Sequence, residues 1–260
     1  MVNKKYTMKF LKSLLILVTV LSCSLNAKDI KLKETSNQFA ITSKSLSGFT
    51  FVNHLSEINT VIVKKDANEF VKLLVSGYGE DAKRGNPELP VLEELINIPF
   101  GSNISVKILN KEEQIISLSD YGINHPVFPY QPSLSKSENA ADAPFYFNQD
   151  YYNYDGFYNM NLIEIEFLGK MRGQQLARLS VAPFSYNPIA NELKVVTKLE
   201  VKVIFKDIDF EGHKINRQKY YSPEFEHLFK NCINYLPLQD KDIITTYPVK
   251  YVIIADPAFQ

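Results

Sequence analysis

Cysteine is almost missing from this chain, which has only Cys23 and Cys232 among 260 residues. Such a count excludes a disulfide-stapled framework, so the fold has to rest on packing. Neither sign of charge is in excess, with 29 basic and 29 acidic residues. Four of the bases, Lys4, Lys5, Lys9 and Lys12, fall in residues 1–27, where there is no acid, so 25 bases face 29 acids in the remainder. That balance excludes the basic footprint of a nucleic-acid binder. No apolar run reaches the roughly 20 residues of a membrane-spanning helix. Motifs that carry chemistry are missing too: HExxH, paired CxxC, a Gly-rich phosphate loop and GxSxG do not occur. His54, His125, His213 and His227 lie in unrelated contexts with no metal-ligand spacing, so neither a metal nor a cofactor is expected.

What is present starts with an export signal. Basic KKYTMK, apolar LLILVTVL and polar NAK form its three parts, and cleavage is expected between Ala27 and Lys28. Cys23 offers the alternative of a lipidated cysteine, although Leu21 suits that signal poorly. The expected route is export through the periplasm to the medium or the cell surface, which implies export machinery as a partner. Beyond the signal only Cys232 remains, read as a buried side chain on a helical stripe rather than a nucleophile.

The dominant period along the chain is two. Leu193, Val195, Leu199, Val201, Val203 and Phe205 alternate with Lys194, Lys198, Glu200, Lys202 and Lys206, which predicts a long half-buried strand over 193–206. TVIVKK, EFVKLLVSG, LINIPFG, ISVKIL and LIEIEFLG repeat the pattern between turns such as KRGNPELP and YNPIANE. The fold class is therefore mainly β, an antiparallel β-sandwich with sheets over 48–206. One helix is predicted over 222–232, capped by Ser222 and Pro223, with Phe225, Leu228, Phe229 and Cys232 on its apolar face. Residues 125–158 are rich in proline and small polar residues and predict a long exposed loop, while 236–248 reads as a linker.

Two features could carry chemistry or binding. Glu164 and Glu166 share a strand face and could form a carboxylate dyad, but a solvated face is the plainer reading. Phe145, Tyr146, Phe147, Tyr151, Tyr152, Tyr154, Phe157 and Tyr158 could stack on a sugar or a protein, or could pack on their own sandwich.

Three stretches resemble the N-terminal propeptides of the gingipain family of bacterial cysteine peptidases. They are GNPELPVLEELINIPFGSNISVKIL at 85–109, RGQQLARLSVAPFSYNPIANELKVVTKLEVKVIF at 172–205 and NYLPLQDKDIITTYPVKYVIIADPAF at 234–259. The resemblance implies a signal at 1–27, a propeptide sandwich at 28–235, a linker at 236–248 and, at 249–260, the first strand of a truncated caspase-like α/β domain. Its implied partner is the downstream cysteine peptidase, which the sandwich would inhibit and help to fold. The His and Cys of that family's catalysis would lie beyond 260, so no catalytic residue is assigned to this chain. Lys136, the only basic residue of PSLSKSENAADAP at 132–144, sits where the family has an arginine, and is implied as the inhibitory anchor in the specificity pocket. The expected processing site is Lys241 with Asp242 after it, because the family's basic cleavage position is occupied here by Gln239. Two alternatives stand beside this reading: a cell-surface sandwich that binds through its tyrosines, and the N-terminal part of a gingipain-related secretion-system transpeptidase.

Overall fold

The structure is a computed structural model that describes residues 28–238 apart from 66, 138, 140–142, 159 and 160. The expected signal with Ala27, the processing site at Lys241 and Asp242, and the strand at 249–260 lie outside the described residues.

Twelve strands run in the order β1 (Lys28–Lys31), β2 (Gln38–Ser45), β3 (Gly48–His54), β4 (Glu57–Lys65), β5 (Asn68–Leu74), β6 (Gly79–Asp81), β7 (Leu89–Ile98), β8 (Asn103–Ser117), β9 (Ile163–Met171), β10 (Gln174–Val181), β11 (Phe184–Asn187) and β12 (Glu192–Lys206). Among the described residues three α-helices, α1 (Gln149–Tyr152), α2 (Phe210–Lys219) and α3 (Pro223–Phe229), and one 3-10 turn, Leu118–Tyr121, join them. The strands pair antiparallel in three sheets, ordered β1-β4-β5, β6-β7-β10-β9 and β11-β12-β3-β2, with β8 added on β12. The mainly β antiparallel expectation is therefore met.

β12 is the spine. One edge pairs with β8 from Glu192↔Ser117 to Lys206↔Asn103, and the other is shared by β11 near Leu193 and β3 near Val201. Its odd-numbered residues from Leu193 to Phe205 all face inward, with Thr197 as the single polar member. That phase divides the apolar residues between two cores. Phe49, Phe51, Ile96, Ala177, Leu179, Leu199, Val201 and Val203 pack between facing sheets in one. Ile30, Leu55, Ile58, Val71, Leu118, Ile123, Val127, Tyr152, Tyr186 and Leu193 form the other, beneath the three-stranded sheet. Each fully buried aliphatic or phenylalanine side chain contributes about 1.5–3 kcal/mol of transfer free energy.

Four expectations are corrected. Sheet structure begins at Lys28 rather than at 48, because β1 buries only Ile30 and β2 is an edge strand whose side chains stay largely in solvent. On β8 the ISVKIL alternation does not mean burial: Val106 and Ile108 are 42% and 45% exposed, on a strand that among the described residues pairs only with β12. The predicted 222–232 helix stops at Phe229, and residues 230–235 continue in three-residue turns closed by Cys232 N–H to Phe229 O and Tyr235 N–H to Cys232 O. Leu228 on its supposed apolar face is exposed, whereas Phe229 and Cys232 are buried as expected. α2 was not expected at all. Its Phe210 and Ile215 point to solvent and His213 is its one buried residue, so it shows no apolar stripe.

Candidate functional site

Residues 125–158 leave the sheets, yet the described part is not a free loop. Pro129, Pro132 and Pro144 lack an N–H and interrupt any ladder, so the backbone pairs only in short steps. Val71 N–H donates to Pro126 O and Phe128 N–H to Val71 O, at 2.9 and 2.8 Å. One step further, Glu88 N–H donates to Phe128 O and Tyr130 N–H to Asn86 O, each at 2.8 Å. This rail runs from β5 to the turn before β7. Gly85 in that turn has φ +78, and a Cβ there would lie 2.9 Å from Asn148 N, so only glycine lets the two backbones meet. Asn148 then caps α1 through its side-chain oxygen.

Most of the predicted aromatic cluster packs inward. Phe70 meets Phe128 edge-on at 5.7 Å, with Phe145 5.8 Å from Phe70. Phe147 stacks on Tyr152 at 4.2 Å, and the Tyr152 hydroxyl donates to Val127 O at 2.5 Å. Tyr151 stacks on Tyr158 at 3.9 Å. Phe147 and Tyr154 keep large exposed faces. Of the 125–158 expectation, then, the irregular backbone is observed but exposure is confined to part of the segment.

The exposed part includes residues 133–137 and 139, on the excursion between Gln131 and Tyr146. Its two ends are joined by the Gln131 side chain, whose Nε2 donates to Pro129 O at 2.8 Å and Tyr146 O at 2.9 Å, while its Oε1 accepts from Tyr146 N–H at 2.9 Å. The Arg84 guanidinium lies over the Tyr146 ring, 4.5 Å from its centroid. At the outer end Ser135 and Ser137 hydroxyls sit 3.1 Å apart on either side of Lys136. Lys136 is exposed and makes no ion pair among the described residues. Leu134 beside it is also exposed, and a groove between the arms is lined by Arg84, Phe128, Pro132, Leu134 and Phe145. An extended cation on fixed feet can reach into an acidic pocket of another molecule, and that is the chemistry available here. Below the groove, Lys72 Nζ is 2.5 Å from the Glu88 carboxylate, yet burial still holds Glu88 above the usual carboxylate range.

Glu164 and Glu166 line an open cavity with Arg84, Tyr151, Tyr158 and Arg178, whereas Cys232 and the histidines lie outside it. Glu166 pairs with Arg178 at 2.5 Å and Arg178 with Glu93 at 3.2 Å, a cross-strand ladder on an outer sheet face, which makes the Glu164 and Glu166 pair a solvated face. Cys232 is buried and its thiol is pushed up to about 11 by that burial, the opposite of an activated nucleophile. His54 and His125 face Glu34 and Glu69 at 3.8 and 3.3 Å. Among the described residues no group of three or more His, Cys, Asp or Glu is placed to hold a metal ion, and no helix is long and apolar enough to cross a membrane.

A polar cluster at the C-terminal end escaped the sequence reading. Asn234 pairs with both backbone groups of Asn97, at 2.8 and 2.7 Å, and Ile233 N–H donates to Leu95 O at 2.9 Å, so residues 233–234 extend the free edge of β7. Arg217 donates to Leu236 O at 2.8 Å and sits 3.5 Å from Glu226, which also accepts from the Tyr235 hydroxyl. His213 lines a small cavity with Asn97, Arg217, Asn234 and Tyr235, and burial and then Arg217 lower its pKa to about 4. No spacing in the sequence announces these partners, because they converge from α2, α3 and β7. Lys28, at the expected signal boundary, donates to the carbonyls of Tyr121 and Gly122 at 3.0 and 3.1 Å.

Comparison with known proteins fits this arrangement. Lys-gingipain of Porphyromonas gingivalis is 30% identical over 249 residues, covering 95% of this chain but only 14% of the relative, so the chain spans a small part of that protein's length. Gingipain R2 of the same organism is 23% identical over 190 residues, 65% of this chain and 23% of the relative. A solved structure bearing on the zymogenic latency of gingipain K from P. gingivalis is 31% identical, with TM-score 0.66 over 70% of this chain and 99% of that one. The complex of P. gingivalis RgpB pro- and mature domains shares the fold at 18% identity, TM-score 0.61, over 76% and 98% of the two chains. Residues 37–219 match the Propeptide_C25 family, and the chain belongs to it.

Proposed function

We propose that this chain is the pro-domain of a gingipain-like cysteine peptidase, that it holds its own peptidase latent and assists its folding, and that Lys136 enters the peptidase's primary specificity pocket. The observation that carries the reading is the likeness over 99% of the chain in the gingipain K latency structure, combined with a lysine at the exposed end of an otherwise cation-free loop. A pocket selective for lysine presents a carboxylate to a compact ammonium, whereas an arginine pocket is shaped for a planar fork. Lys136 thus favours a lysine-specific partner. Covering a substrate cleft takes about 1,600 Å² of total buried surface, and one anchor at its centre can dominate the affinity.

The finer steps belong to the same proposal. Residues 1–27 direct export and are removed after Ala27, with Lys28 opening the folded body, and the route passes through the periplasm to the medium or cell surface. Activation cuts the 236–248 linker after Lys241, leaving Asp242 as the new terminus. The alternative of a surface module that binds through its tyrosines has less to build on, because Tyr151 and Tyr152 are buried.

The test is titration of purified mature Lys-gingipain and, separately, Gingipain R2 with the chain and with Lys136→Ala. The chain is expected to inhibit the lysine-specific enzyme better, and the substitution to cost about 2–4 kcal/mol of binding. Equal inhibition constants for the two forms would remove the anchor role. Failure to inhibit either enzyme would remove the latency role. N-terminal sequencing of the matured precursor checks Asp242.

A further inference from the structure

We propose that Gln131 is a positioning residue for inhibition: its side chain ties Pro129–Gln131 to Tyr146, so that Lys136, on the chain between them, is presented to the peptidase from fixed ends. The inference rests on reading that stretch as the docking element, and goes beyond it by naming what holds its ends in register.

The argument begins with what the backbone cannot do. An excursion that leaves and returns to a β fold is ordinarily closed by an antiparallel bridge, in which two residues exchange N–H and C=O bonds. Here Pro132 follows one foot and Pro144 lies just inside the other, and neither has an N–H to donate. The Gln131 amide supplies the missing bridge. Its Oε1 takes the Tyr146 N–H and its Nε2 returns a bond to the Tyr146 carbonyl, each at 2.9 Å, which is the donor and acceptor pattern of a paired residue. The second Nε2 hydrogen reaches Pro129 O at 2.8 Å and fixes the amide plane against its own strand-like rail. Carboxamide geometry is required for this, since only Asn and Gln offer an acceptor and two donors in one plane, and Gln has the longer reach. Arg84 stacked over Tyr146 and Phe145 packed 6.0 Å from Phe128 hold the same foot from either side.

Both apolar cores are filled without Gln131, which is only half-buried. Loss of the clamp therefore leaves the domain folded and frees the loop to sample other shapes. When only a fraction of molecules holds the binding-competent shape, apparent affinity falls by that fraction.

The experiment measures association and dissociation of the chain with purified mature Lys-gingipain for the wild type, Gln131→Ala, Gln131→Glu, Lys136→Ala and the Gln131→Ala/Lys136→Ala double variant. Gln131→Ala is expected to slow association about tenfold with an unchanged dissociation rate, and to shift Tm by less than about 4 °C. Gln131→Glu keeps an acceptor for Tyr146 N–H but sets a carboxylate against two carbonyl oxygens, and is expected to match the alanine variant. In the double variant the second substitution should add nothing to Lys136→Ala. Wild-type association for Gln131→Ala overturns the proposal, and so does an equal loss in both backgrounds, which would mark a general structural effect. If Lys136→Ala binds normally, the anchor reading fails, and the positioning role, which acts through that anchor, fails with it. A chain that inhibits no peptidase overturns both.

Discussion

Phe51 and Tyr152 are both buried, at 0% and 7% exposure, yet they close their cores in different ways. Phe51 lies on β3 between two sheets, flanked by Phe39 and Phe49 at 5.4 and 6.4 Å, and its place is set by the register of β3 against β12. Tyr152 comes from a one-turn helix in irregular chain, and its place is set by one hydroxyl bond to Val127 O and one stacked ring. A core closed sheet on sheet depends on filled volume, and no single polar contact decides it. A core closed by irregular chain needs polar ties, because each unpaired backbone group under it has to find a partner.

Phe51→Ala should have the largest effect, about 3–5 kcal/mol, from lost transfer free energy and the cavity left between the sheets. Urea unfolding checks it, and a loss well under 2 kcal/mol would mean that the sheets close over the gap. Tyr152→Phe should cost about 1–2 kcal/mol, since it removes no volume but strips the Val127 carbonyl of its donor. Its signature is faster hydrogen exchange in the 126–130 rail with little change in the β3 and β12 amides. Uniformly faster exchange would show that the two cores do not differ as described.

The smallest effect concerns pH. The folded His213 has its pKa lowered from 6.5 to about 4, first by burial and second by Arg217, while the unfolded chain keeps the ordinary value. As pH falls below 6.5 the unfolded state therefore takes up the proton first, and stability is lost down to about pH 4 and then levels off. After allowance for the partly open side of the cavity the loss is about 1 kcal/mol. It should be absent in His213→Gln, with stability followed by urea titration at pH 7, 5.5 and 4.

Legibility in the sequence follows the same division. β12 could be read because one side of it is largely solvent and the other is core, so period two runs from Leu193 to Phe205 with a single break where Val196 is also buried. β1 and α2 could not, since each gives the interior one residue, Ile30 and His213, and a single buried position has no period. For the loop, composition identified an irregular segment and singled out Lys136, but not Gln131. Its partners, Pro129 O and both backbone groups of Tyr146, are main-chain atoms, and main-chain atoms leave no mark on residue type. The Arg217, Glu226 and Tyr235 cluster was hidden for another reason: α2, α3 and the turns after α3 must fold before those groups meet.

Cys232 turns the C-terminal end into its own clock. It is the only thiol among the described residues, is 2% exposed, and sits between Phe229 and the Asn234 contact with Asn97. A thiol-reactive reagent can reach it only when that end opens, so the labelling rate equals the rate for a free cysteine multiplied by the open fraction whenever reclosure is fast. In a protein starting at Lys28 no other sulfhydryl competes. Labelling free and with a bound peptidase whose catalytic cysteine has been replaced would therefore report what fraction of the time residues 229–236, the stretch leading into the linker, are off β7, without the introduction of any probe.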